Sequence, residues 1–251
     1  MILGMDIRRL KDAAPKDWER WMSLVEEDRR QKIEKMKNPE VRQRSLAAGL
    51  LLYYSLCEVE YNKGYDGRLT AVKEAKARTL TVTELDAAEA DLFKGKGHSF
   101  KILRDQKGKP YCDGHPEIVF SLSHSGDFAV CVTACDALKR GRGLGIGIDI
   151  QQVIPVRDGL AKRVFCPEEA AYIEECPEAF FDIWTLKEAY GKAVGDGIGT
   201  GLSSLDFSRY ARRYRTEEKG YLRPVDGCEG DVYAAGLSVP DGYTASLIMI
   251  V

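Results

Sequence analysis

The stretch DIWTLKEAYGKAVG, residues 182–195, has the make-up of a helix: leucine, lysine, glutamate and two alanines, with Gly195 placed to stop it. It carries Lys187, Glu188 and Lys192 together, and Glu188 and Lys192 are spaced i,i+4, so they are neighbours on the helix surface. Such a pair has a plain reading as a solvated ion pair. It has a sharper one as an acid for a metal and a cation for an anionic ligand. The rest of the chain decides between them.

Upstream, VRQRSLAAGLLLYYSLCEVE (41–60) is a second long helix, apolar over most of its faces and therefore buried. The two helices sit in similar surroundings. MILGMDIRRL reads as a first strand, and residues from about Pro15 to Lys37 are helical and highly charged. NPE (38–40) breaks that pattern and leaves Pro39 suited to the first turn of the long helix. Strand candidates SFKILRD, KPYCD, IVFSLSHS and FAVCVTAC follow, separated by Gly, Pro and Asp turn signals. In the second half LGIGIDIQ is the opening strand. CPEEAAYIEEC is a short helix with Pro167 near its start and acids in its first turn. The helix quoted above comes next, then the strands YAAGLSV and YTASLIMIV.

The order of elements therefore repeats, although no sequence repeat is read. The expected fold is α+β: two similar halves, each a small antiparallel sheet on a long helix. They run over 1–138 and 144–251, with the linker 139–143 inside the polar, glycine-rich DALKRGRG. Two halves facing each other leave a cleft, a common place for a ligand. Residues 58–98, rich in charge and alanine, are expected to hold helix and a loop ending in GKGH.

Composition narrows the function classes. Of the 251 residues, 44% are hydrophobic and 30% charged, and the net charge is −2, so no basic field points to nucleic acid. No apolar run approaches the roughly 20 residues of a membrane-spanning helix. The first ten residues are too charged for a secretory signal. Seven cysteines, with no C-x-x-C, indicate reduced, buried thiols and a cytoplasmic protein, and paired zinc-ligand spacing is lacking.

Several short segments bear chemistry. GIGIDIQQ (145–152) places Asp149 near the end of an apolar strand, where an acid must be exposed, capped or paired. Its glycines form no G-x-G-x-x-G, and the chain has no Walker motif. SLSHSG (121–126) sets His124 among small hydroxyl residues able to donate to phosphate oxygens. No G-x-S-x-G supports a Ser-His-Asp triad. QKGKP (106–110) and RQRS (42–45) put cations at element edges. Each segment alone reads as well as a turn or a solvated charge. Together they combine two carboxylates, Asp149 and Glu188, suited as hard oxygen ligands to Mg²⁺ with substrate phosphates. Cations surround them. That is a site for a nucleotide-like polyanion and phosphoryl chemistry.

The ordered set GKP (108–110), SLSHSG (121–126), GIGIDI (145–150) and WTLKEAYGKAVGDG (184–197) resembles the 4′-phosphopantetheinyl transferases of the surfactin-synthetase-activating type. So do FCPEE after the Asp149 strand and the final GYTASLIMIV. The resemblance covers most of the chain and is weakest at 58–98 and 202–228. It implies a monomeric pseudo-dimer of two α+β halves with coenzyme A in the cleft. It implies transfer of 4′-phosphopantetheine to a serine of an apo acyl or peptidyl carrier protein, with release of 3′,5′-ADP. Asp149 and Glu188 would hold Mg²⁺ (or Mn²⁺, which accepts the same oxygen ligands) against the pyrophosphate, and Lys192 would stabilise phosphate charge. His124, Lys109 and Arg44 would contact the phosphates or the adenosine end, with Ser123 and Lys32 as further candidates. The family often has another acid two residues after the first. Here that position is Gln151, which can bind through its carbonyl or hold a metal-bound water. Lys187 is left either structural or bound to a more distant group. Two rivals stand beside the transferase: a non-catalytic coenzyme A or nucleotide binder on the same scaffold, and a structural protein with accidental motifs.

Overall fold

The computed structural model describes residues 1–11, 13–61, 78–80, 100–135, 144–195, 205–228 and 230–251. The expected linker 139–143 and most of 58–98, including GKGH, lie outside them.

The N-terminal residues form strand β1 (Ile2–Asp6), followed by a 3-10 turn (Ile7–Leu10). The charged stretch read as one helical region is two helices, α1 (Pro15–Leu24) and α2 (Glu27–Lys35), broken at Val25 and Glu26, whose backbone is extended (ψ 154 and 146). The break lets Val25 bury itself against the next helix, α3 (Pro39–Tyr61), at Gly49: a Cβ there would come within 2.6 Å of both Val25 and Arg29. Pro39 opens α3 as expected, and the Asn38 side-chain oxygen caps it, accepting from the Glu40 and Val41 amides at 2.8 and 3.3 Å.

Strands β2 (Arg78–Leu80), β5 (Ile118–Ser125) and β6 (Phe128–Cys135) join β1 in a sheet ordered β2-β1-β6-β5. Between β2 and β5, strands β3 (Ile102–Arg104) and β4 (Pro110–Cys112) form a separate hairpin. One pairing departs from the antiparallel expectation: β1 and β2 are parallel. The long α3 lies between them in the chain, and a strand returning after such a crossover can run parallel to the first.

The remaining chain builds a second sheet, ordered β7-β10-β9-β8, from β7 (Gly145–Gln152), β8 (Arg223–Pro224), β9 (Val232–Gly236) and β10 (Tyr243–Ile250). Its helices are α4 (Leu160–Val164), α5 (Pro167–Glu175), α6 (Ala179–Val194) and α7 (Ser208–Tyr214). The helix quoted at the outset is α6, and Gly195 ends it in the left-handed conformation, φ 87.

Side-chain alternation sets the layers. On β6, Ala129 and Cys131 face the α3 core, while Val130 and Val132 face Ile146, Ile148 and Ile150 of β7. The opposite face of β7 meets α6 so closely that a Cβ on Gly147 would lie 2.7 Å from the Ala193 nitrogen. Asp149 and Gln151 share that face by period two.

The two sheets meet where edge strand β5 runs beside edge strand β7. Among the described residues no backbone ladder joins them. Serines on one face of β5 make the seam instead: Ser121 Oγ accepts from the Ile148 amide at 3.2 Å, Ser125 Oγ accepts from the Gln152 amide at 3.0 Å, and Ser123 donates to Asp149 at 2.6 Å.

Candidate functional site

The seam brings β5 against β7 and α6, and with them most of the residues singled out in the sequence. Asp149 is the fifth residue of an eight-residue strand and only 5% exposed, so it is not the turn-proximal cap that its sequence context allowed. A carboxylate can be buried there because its Oδ1 accepts from both Ser123 Oγ (2.6 Å) and Lys192 Nζ (2.7 Å). Lys192 also donates to the Ile148 carbonyl at 3.0 Å. Among the described residues Asp149 Oδ2 takes no hydrogen bond.

Glu188 lies one turn before Lys192 on α6, half-buried. Its carboxyl is pushed above the usual carboxylate range by burial and then by the negative charge of Asp149, with Lys192 pulling the other way. A carboxyl whose ionisation is made harder by burial and by a neighbouring acid is a place where a divalent cation gains. Gln151 lies on the same strand face as Asp149 and donates through Nε2 to the Gln152 carbonyl at 3.3 Å, so its own carbonyl oxygen stays available. Asp149 Oδ2, Glu188 and the Gln151 carbonyl are hard oxygen donors of the kind that Mg²⁺ takes, and the donor set fits that ion.

On the other side of the seam His124 sits within β5, opposite Ala129, rather than in the turn that follows. Its imidazole is held below the usual histidine range by desolvation and by the positive charges of Arg44, Lys192 and Arg29. Arg44 pairs with Glu40 at 3.0 Å on α3. Arg29, which the sequence reading did not pick out, reaches over α3 to the Ser45 carbonyl at 3.3 Å and pairs with Glu26 at 2.8 Å. The one trace of it in the sequence is Gly49, a glycine inside a long apolar helix, which marks a close approach. Lys32 stands exposed on α2 three residues beyond Arg29 and makes no ion pair among the described residues.

Lys109 crosses to the second sheet's helix and donates to the Ala193 carbonyl at 2.7 Å, a cation on the negative end of α6. Burial holds its ammonium below the usual lysine range. Lys187 points away from all of these. It is buried, pairs with Glu169 at 2.8 Å and donates to the Leu205 carbonyl at 2.7 Å, contacts that tie α6 to neighbouring segments.

Cys166, Glu169 and Asp206 also come within 4.8 Å of one another. Glu169 is already committed there: Oε2 accepts from Lys187 and the Cys166 amide (3.2 Å), and Oε1 accepts from the Phe207 amide (2.9 Å). A cation at this cluster would meet the Lys187 ammonium, so the trio is a structural knot.

The arrangement is thus an acid pair able to hold a divalent cation, bordered by Lys192 and by a field of cations around His124. It can bind an extended polyphosphate and support attack at phosphorus.

Residues 145–230 match the family model of the 4′-phosphopantetheinyl transferase superfamily. A 4′-phosphopantetheinyl transferase of Bacillus subtilis is 32% identical over 154 residues, 59% of this chain and 61% of that protein. The 4′-phosphopantetheinyl transferase psf-1 of Bacillus pumilus is 39% identical over 103 residues, 39% of this chain and 41% of that protein. The 4′-phosphopantetheinyl transferase Sfp of Bacillus subtilis strain 168 is 26% identical over 154 residues, 59% of this chain and 61% of that protein. The chain therefore matches about two fifths to three fifths of the length of these relatives. The family resemblance read from the ordered motifs is borne out.

Proposed function

We propose, from the match of residues 145–230 to the 4′-phosphopantetheinyl transferase superfamily model, that this protein transfers 4′-phosphopantetheine from coenzyme A to a serine of an apo acyl or peptidyl carrier protein. The observation that carries the reading is the junction of Asp149, Glu188 and Lys192 with the cations around His124. That junction suits a pyrophosphate flanked by a divalent cation and by basic groups.

In this reading Asp149, Glu188 and Gln151, directly or through a water, would hold Mg²⁺ or Mn²⁺, which would supply positive charge to offset that of the pyrophosphate oxygens. His124, Arg44 and Arg29 receive phosphate oxygens, and Lys109 and Lys32 add to the positive border. Glu188 takes the proton of the carrier serine. The serine oxygen attacks the β-phosphorus of coenzyme A. The bond from that phosphorus to the bridging oxygen breaks, and 3′,5′-ADP leaves with the electron pair. Lys192 offsets charge on the transferred phosphoryl group.

The same reading makes the chain a cytoplasmic monomer, a pseudo-dimer of units 1–138 and 144–251 joined by 139–143, with the site between them. Among the described residues no helix is long and apolar enough to cross a membrane.

Intact-protein mass spectrometry tests the activity. An apo acyl carrier protein, and separately an apo peptidyl carrier protein, are incubated with this protein, coenzyme A and Mg²⁺. A gain of one phosphopantetheine, lost on adding EDTA, is the expected result. Coenzyme A binding with no gain on either carrier would move the assignment to a non-catalytic binder.

A further inference from the structure

The family resemblance offers Ser123 as a contact of the coenzyme A end. Its hydroxyl points elsewhere. Ser123 is 9% exposed, and Oγ gives its only proton to Asp149 Oδ1 at 2.6 Å, the usual length of a hydroxyl–carboxylate hydrogen bond. Oδ1 is then occupied twice, by Ser123 from β5 and by Lys192 from α6. These two donors arrive from different elements and fix the plane of the carboxylate. The oxygen left for a metal is Oδ2.

The neighbouring serines give an internal comparison. Ser121 and Ser125 lie on the same face of the same strand and cross the same seam, but both accept from backbone amides of β7. Their hydrogen bonds join the sheets through backbone and, among the described residues, reach no side chain of the site. Ser123 alone of the three acts on the acid.

We infer that Ser123 is a positioning residue for the metal carboxylate: it holds Asp149 Oδ1 so that Oδ2 is presented to the divalent cation. This rests on the proposed function, and it adds a residue of one half that sets the metal affinity of the other. Hydrogen bonds that orient a ligating carboxylate are worth roughly 10- to 100-fold in metal affinity.

The test is direct Mn²⁺ titration of the full chain, read by the electron paramagnetic resonance of free Mn²⁺, with 3′,5′-ADP affinity measured separately in metal-free buffer. Ser123→Ala should weaken Mn²⁺ binding about 10-fold. Ser123→Thr, which keeps the hydroxyl, should restore Mn²⁺ affinity. Ser121→Ala and Ser125→Ala should lower the melting temperature without moving Mn²⁺ affinity. Unchanged Mn²⁺ affinity in Ser123→Ala with weaker 3′,5′-ADP binding would overturn the inference and return Ser123 to the substrate. Equal loss of Mn²⁺ affinity in all three alanine variants would overturn it in favour of the seam as a whole. If the wild-type protein binds no Mn²⁺, the metal-dependent function falls first, and this assignment with it.

Discussion

Lys187 and Glu169 form an ion pair at 2.8 Å whose side chains are 5% and 0% exposed, and through it α6 is tied to the start of α5 and to the chain at Leu205–Phe207. A pair this deep is costly to break on one side. Lys187→Met leaves an unpaired buried carboxylate and should destabilise by about 3–5 kcal/mol. The double variant Lys187→Met/Glu169→Gln should recover part of that loss. Chemical denaturation of the three proteins measures both values. A single variant as stable as wild type would mean that Glu169 finds water or another partner.

Glu188→Gln should abolish carrier modification while leaving the fold intact. The carboxyl is pushed up in the folded protein. Its protonated form is favoured there, so its contribution to stability is fully present below the unfolded value and is lost as pH rises through the folded one. Glu188→Gln should therefore melt no lower than wild type at neutral pH and should lose this slope. Mg²⁺ should raise the melting temperature of wild type more than that of the variant. Turnover near wild type in folded Glu188→Gln would remove Glu188 from the chemistry.

His124 carries the opposite sign. Its folded pKa is depressed, so the unfolded chain binds more protons over the window between the two values. Its contribution is present above the unfolded value, about 6.5, and is lost as pH falls through the folded one. Imidazole NMR should show His124 titrating below that ordinary value in the free protein. Adding 3′,5′-ADP should move the midpoint up, because an anion cancels the field of Arg44, Lys192 and Arg29. A midpoint that ignores the nucleotide would place the anion elsewhere.

Gly147→Ala should destabilise severely, and through sterics alone. The new Cβ would meet the backbone of α6 at Ala189 and Ala193, which cannot rotate away as a side chain would. Overpacking of this kind typically costs about 1–3 kcal/mol, and more where backbone must shift. Thermal unfolding by circular dichroism reads it.

Much of this architecture is legible in the sequence itself. The capped start of α3 at Pro39, the stop of α6 at Gly195 and the period-two strands are local events, written in local sequence. The motif residues also converge, because Asp149, Glu188 and Lys192 sit on two elements that pack directly. What stayed hidden depends on tertiary placement. Arg29 and Lys32 look alike in a charged helix, and only the notch at Gly49 brings Arg29 towards His124. Lys187 and Lys192 look alike on α6, and only the knot at Glu169 separates them. The parallel run of β2 beside β1 depended on where the chain goes after α3. A short repeat is hidden in the same way: Leu3–Ile7 reads LGMDI and Ile146–Ile150 reads IGIDI. The repeat is difficult to see because the two strands then diverge, with Arg8 binding Asp6 at 2.7 Å where the second copy has Gln151.

The hydroxyl that holds Asp149 comes from residue 123, outside the 145–230 segment that carries the recognisable signature. A fragment beginning at residue 144 would keep the aspartate, the glutamate and the lysine in sequence, yet its acid would be left to Lys192 alone and strand β7 would be a bare edge open to pairing with other chains. The signature is therefore not a portable module. Grafted or expressed by itself it carries the reagents without the jig that aligns them.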